Sequence, residues 1–238
     1  VNTIAGATSG VVTATITTGA VSSTLSAITN VNISDVITFT TNDTSVDASD
    51  LVDLDVKIDT SDYTSVTTIT EAYNTASVTS EVTNALTILD GNEAVTITGG
   101  ALSASNVNTI AGATSGVVTA TVSSDTASNL ASNLSNATAS DVLGLSVTNS
   151  ATDAADLITL NGKTTLQIDV TAITSTINGD ASELIDVYVT NVAQYNGLGN
   201  EAVSVDNTSS SSDVNTIAGA TSGVVTATIT TGAVSSTL

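Results

Sequence analysis

Seven aspartates, Asp43, Asp47, Asp50, Asp53, Asp55, Asp59 and Asp62, fall within twenty residues, and Asp153, Asp156 and Asp169 echo them downstream. Clusters of hard oxygen donors such as these bind Ca²⁺, which takes roughly six to eight oxygens. Asp47, Asp50, Asp53, Asp153 and Asp156 are therefore the candidate calcium ligands. The spacing matches neither an EF-hand loop nor the GGxGxD nonapeptide of calcium-dependent toxin repeats. Solvated aspartates that keep sheet edges from associating account for the same residues without a metal.

The chain has two lysines, Lys57 and Lys163, and they stand 106 residues apart. One chemistry open to such a residue is a Lys–Asn isopeptide crosslink, which needs a nearby acid to shuttle protons; Asp50, Asp53 and Asp156 are within sequence reach. The plainer role is an ion pair with an adjacent segment, worth little if exposed. Thr13, Thr15 and Thr17 form a Thr-x-Thr array of the kind that binds ice on a flat face, but the array is strong only once per repeat. The sequons at Asn32, Asn42, Asn133, Asn136 and Asn207 are what chance gives in a chain so rich in Asn, Ser and Thr. Gly6-Ala7-Thr8-Ser9-Gly10 lacks the Lys of a P-loop and the spacing of a nucleophile elbow.

Composition narrows the chemistry further. Without His or Cys, the 238 residues hold no Ser-His-Asp or Cys-His apparatus, no imidazole or thiolate metal site and no disulfide. Without Arg, and with a net charge of −21, neutralisation of a nucleic-acid backbone is excluded. Paired carboxylates can hydrolyse glycosides, yet no acid stands out from the repeat background, so an enzyme is not expected. No apolar run approaches the roughly 20 residues that span a bilayer. The chain has no initiator Met, basic n-region or apolar h-region, which reads as a processed chain or a slice of a longer one. Such acidity suits a soluble, extracellular protein in salty water.

The elements that must position these residues come from a repeat. Val1–Leu25 recurs letter for letter at Val214–Leu238, and its first fifteen residues recur at Val107–Thr121. The chain thus divides into units 1–106 and 107–213 and the start of a third at 214–238. Gly91-Asn92-Glu93-Ala94-Val95 reappears as Gly199-Asn200-Glu201-Ala202-Val203. Openings such as Asp50-Leu51-Val52-Asp53-Leu54 and Asp156-Leu157-Ile158-Thr159-Leu160 recur roughly every 25 to 30 residues, a period that means stacked arrays.

In Val12–Thr17, Val12, Ala14 and Ile16 fall on one face and three threonines on the other, as in a half-buried strand. Asn161-Gly162, Asn178-Gly179 and Asn196-Gly197 read as turns, and 71–89 and 127–137 as possible short helices. The expected fold is all-β with a few short helices: a β-solenoid of 25–30-residue coils around a thin aliphatic core. Tandem immunoglobulin-like β-sandwiches are the alternative, since a unit has the right length.

Gly197–Val203, the Ala48–Leu51 and Ala154–Leu157 openings and the VNTIAGATSGVV blocks resemble repeats of giant bacterial cell-surface proteins, those of marine cyanobacteria among them. The resemblance implies a secreted array serving as surface fibre, adhesin or matrix component, often beside calcium-binding modules. The expected function is a self-stacking structural segment whose partners are copies of itself. An adhesin stalk gripping ice, mineral or surface glycans through a Thr/Asp-rich face is the alternative.

Overall fold

Asp47 opens a helix, not a strand. Its side chain accepts the backbone N–H of Ser49 at 3.1 Å and of Asp50 at 3.2 Å, satisfying donors that a first helical turn leaves orphaned. Leu51 and Leu54, three residues apart, then fall on one face and are fully buried. Asp153 repeats the device, accepting the N–H of Ala155 at 2.9 Å ahead of buried Leu157 and Leu160. The acid–aliphatic–x–x–aliphatic openings are therefore capped helices, and this overturns the all-β expectation.

The computed structural model describes residues 1–74 and 77–230. Contacts divide the chain into Val1–Thr121 and Val122–Leu238. In the first unit the order is α1 (Asn2–Ala7), β1 (Thr13–Gly19), α2 (Val21–Ala27), β2 (Val36–Thr41), β3 (Ser45–Asp47), α3 (Ala48–Asp55), β4 (Thr60–Asp62), β5 (Thr68–Ala72), α4 (Val78–Ile88), β6 (Ala94–Leu102), α5 (Ala104–Ala113) and β7 (Val118–Val122). The second runs α6 (Ala127–Asn133), β8 (Val142–Gly144), β9 (Thr152–Asp153), α7 (Ala154–Asn161), β10 (Ile168–Asp169), β11 (Ile177–Gly179), α8 (Ala181–Ile185), a π turn at Asp186–Thr190, a 3₁₀ turn at Val192–Gln194, β12 (Tyr195–Asn196), β13 (Val203–Ser209), α9 (Ser211–Ala220) and β14 (Val225–Ile229).

Eight strand pairs, in all four sheets, are parallel, which excludes immunoglobulin-like sandwiches. Neighbours are also successive turns of the chain. Thr13 lies beside Val36, Thr38 beside Thr60, Ser45 beside Thr68, and Ile177 between Thr152 and Val203. In the first unit two turns, β2-β3-α3 and β4-β5-α4, supply two short strands and one helix each, whereas β1 and β6 each run to the next helix as a single longer strand. The strands join two separate sheets, β1-β2-β4 and β3-β5-β6-β7, and the helices α2 to α5 pack in sequence. The second unit lines up β9-β11-β13-β14 in the same parallel manner, beside the helices α6 to α9. The fold is mixed α/β rather than a β-solenoid.

The core is aliphatic, as the near absence of aromatics predicts. Ile37, Leu51, Leu54, Ile69, Val82, Val95 and Ile110 are sealed in the first unit, with Phe39 edge-on to Tyr63 at 6.4 Å. Leu157, Leu160, Ile177, Leu184 and Ile217 do the same in the second. Each buried leucine contributes on the order of 2 kcal/mol relative to exposure.

The sequence units at 107 and 214 begin inside helices, Val107 in α5 and Val214 in α9. Of the three Asn-Gly pairs, only Gly197 takes a positive φ, +105°. Gly162 ends α7 at φ −78°, and Gly179 lies within β11.

Candidate functional site

The identical blocks at 107–121 and 214–228 share one local structure: the end of a helix, a Thr-Ser-Gly turn and a strand. The turn builds itself. Gly116 N–H donates to Thr114 Oγ1 at 2.9 Å and Gly223 N–H to Thr221 Oγ1 at 2.9 Å. Gly10 makes the same bond to Thr8 at 3.0 Å.

In its second and third copies, the block sits on a Gly-Asn-Glu-Ala-Val segment one turn earlier. Ser115 N–H donates to the Gly91 carbonyl at 2.9 Å, Thr114 Oγ1 to the Glu93 carbonyl at 2.7 Å, and Val95 N–H to the Val117 carbonyl at 2.9 Å. The third copy repeats the set. Ser222 N–H reaches the Gly199 carbonyl at 2.8 Å, Thr221 Oγ1 the Glu201 carbonyl at 3.0 Å, and Val203 N–H the Val224 carbonyl at 2.8 Å. Gly116 and Gly223 lie so close to this segment that a Cβ on either would overlap the Glu93 or Glu201 carbonyl. Gly91 and Gly199 turn the receiving chain at φ +73° and +117°, where side chains are strained.

Beneath each seat lies a buried glutamate that reasoning from sequence passed over. Glu201 Oε2 accepts Gly199 N–H at 2.9 Å, Asn200 N–H at 3.3 Å and Tyr188 hydroxyl at 3.2 Å. Glu93 is equally buried, and burial with the neighbouring Asp90 charge raises its carboxyl above the ordinary range. The signal was present, since Glu is the one acid common to both Gly-Asn-Glu-Ala-Val segments. Beside Glu93 opens a groove of about 490 Å³ lined by Asp62, Tyr63, Asp90 and neighbours. Burial and the Asp55 charge push the Tyr63 phenol up to about 12. The hydroxyl-bearing residues Ser61, Thr64 and Thr67 complete the lining.

No family model, curated protein or solved structure matches this chain.

Asp47 and Asp153 cap helices, as above. Asp50 and Asp53 follow Asp47 along α3, and burial with the Asp47 and Asp53 charges raises the Asp50 carboxyl. Burial and Asp153 raise Asp156 in the same way. Among the described residues, no three acids converge as a metal site.

Both lysines play one role. Lys57 Nζ donates to the Val31 carbonyl at 3.4 Å, and Lys163 Nζ to the carbonyls of Ala137 at 3.0 Å and Ser135 at 3.3 Å. Each ammonium thus ties its own turn of chain to the loop that follows the previous helix. These contacts are to backbone oxygens.

Proposed function

We propose that the chain is a structural repeat segment of an extracellular fibre or giant cell-surface protein, whose work is to extend and hold by stacking coil on coil. The observation that carries this reading is the twofold seating of an identical block on the same Gly-Asn-Glu-Ala-Val segment through the same bonds. A module whose contacts are spent on its own neighbours suits mechanical continuity better than recognition of a small ligand. Its partners are copies of itself. The high negative charge keeps lateral faces apart until salt or divalent ions screen them.

The reading is tested by sedimentation over a concentration series, with and without Ca²⁺. Self-association that strengthens with ionic screening supports it; a monomer at every concentration and salt rules it out. A second reading, an adhesin stalk, draws on the register of Thr15, Thr38 and Thr60 on adjacent strands, which aligns hydroxyl-bearing residues. That reading requires retention on ice, mineral or glycan matrices by a chain that stays monomeric.

A further inference from the structure

We infer that the first block, Val1–Thr15, is built to seat against a helix–strand coil carrying Gly-Asn-Glu-Ala-Val, the segment type that covers its two copies. This rests on the stacking reading above and names the partner of that block. Sequence identity makes the comparison direct, because Ile4, Ile110 and Ile217 occupy one position of one sequence. Ile110 and Ile217 are fully buried, whereas Ile4 is 61 % exposed. The difference lies in the neighbour. α5 packs on α4, and α9 on α8 and the π turn that follows it. No helix precedes α1 among the described residues.

The polar half of the seat is open as well. Thr8 already holds Gly10 in the turn conformation of the seated copies. Ser115 and Ser222 donate their N–H to a Gly carbonyl, and Thr114 and Thr221 their hydroxyl to a Glu carbonyl. Among the described residues Ser9 N–H and the Thr8 hydroxyl have no such acceptor. A Cβ on Gly10 would meet nothing closer than its own turn, Thr8 Oγ1 at 3.4 Å, whereas Gly116 and Gly223 have no room for one. The first seat is thus preformed, apolar at Ile4, and short of the two carbonyls that a Gly-Asn-Glu-Ala-Val turn presents.

The occupant is a coil of this type whose own outer edge is uncovered. Gly91–Val95 and Gly199–Val203 of a second copy are already covered by that copy's own blocks, so exchange with them gains no contact. The test joins a duplicate of residues 107–213 ahead of Val1 of the full chain, a junction that reproduces Asp213–Val214 letter for letter. Amide hydrogen exchange is then read at Ser9, with Ser115 and Ser222 as internal controls of folding. Seating slows Ser9 exchange at least tenfold, to the level of Ser222, and Gly10→Ala abolishes that slowing. A shorter extension, residues 181–213, guards against misfolding of the longer one.

Ser9 exchanging as fast with either extension as without, while Ser115 and Ser222 stay protected, overturns the proposal. Protection of Ser9 that rises with concentration in the unextended chain also overturns it, assigning the face to a second copy. Seating without self-association in the sedimentation series leaves this inference standing while the fibre reading falls.

Discussion

Gly223 and Glu201 approach so closely that a Cβ on the glycine would overlap the glutamate's carbonyl, and Gly116 stands in the same relation to Glu93. Neither glycine has the positive φ that usually explains the residue. Proximity alone demands it. Gly116→Ala should therefore lower stability by about 1–3 kcal/mol, the usual cost of overpacking, read from the urea midpoint. Gly10→Ala, at the same letter of the same sequence, should stay within about 0.5 kcal/mol. Equal effects at both positions would mean that the seat is not what excludes the side chain.

Lys163→Met removes two hydrogen bonds to the carbonyls of Ser135 and Ala137 and keeps the aliphatic stem. Because the ammonium is partly solvated, the expected loss is about 1 kcal/mol, below the range for bonds to charged groups. Lys57→Met, with one longer bond, should cost less. Intact mass should equal the sequence mass, since a crosslinked chain would be one ammonia lighter per bond. Trypsin, for which these are the only sites, should cut the folded chain slowly.

Asp47→Ala deletes the cap of α3 and should cost about 1 kcal/mol, whereas Asp47→Asn, itself a good cap, should cost little. The same pair of variants examines calcium. A Ca²⁺-dependent rise in melting temperature that Asp47→Asn abolishes would give Asp47 a metal role beyond the cap. Equal responses of both chains to Ca²⁺ would limit it to capping.

Burial raises the carboxyls of Glu71 and Glu93, and burial with neighbouring acids raises Asp50 and Asp156. Above their ordinary values of 4.5 for Glu and 3.8 for Asp, the folded chain holds these protons more tightly than the unfolded one. Stability therefore rises as pH falls from neutrality toward about 4.5. Asp62, Asp169 and Asp180 behave oppositely. Hydrogen bonds from Thr64, Thr171 and Ser182 hold them below 3.8, so their contribution is present above that value and lost beneath it. Melting temperature should peak in mild acid and fall below pH 3.8. A curve that rises monotonically to neutrality would contradict the buried-acid account.

Glu201→Gln keeps the shape of the side chain but replaces one carboxylate oxygen with an amide, and Tyr188→Phe removes its hydroxyl donor. Each should cost about 1–3 kcal/mol, with a coupling in the double mutant that shows the two act together.

The strand at the first block was legible. Thr13, Thr15 and Thr17 are exposed in β1 as alternation requires, Val12 is buried, and Ala14 and Ile16 are half-buried. The helices were harder to read because they are short and rich in Ser, Thr, Asn and Val, residues of modest helix propensity. Leu51 and Leu54 carry the helical spacing, yet two apolar positions in eight residues give too little periodicity to separate helix from strand. What holds such segments helical is tertiary: an aspartate cap at one end and a neighbouring helix along the buried face. The candidate site was half legible. The repeated block and Gly-Asn-Glu-Ala-Val were both visible, but that one sits on the other is a fact of register, invisible until the chain is wound.

The Thr-Ser-Gly turn asks of its neighbour two backbone oxygens and an absence of bulk, and little else. A recombination event between neighbouring copies among 1–15, 107–121 and 214–228 would excise or insert 106 or 107 residues and leave every such junction chemically unchanged. Chain length then becomes a heritable variable that selection can tune without redesigning the interior.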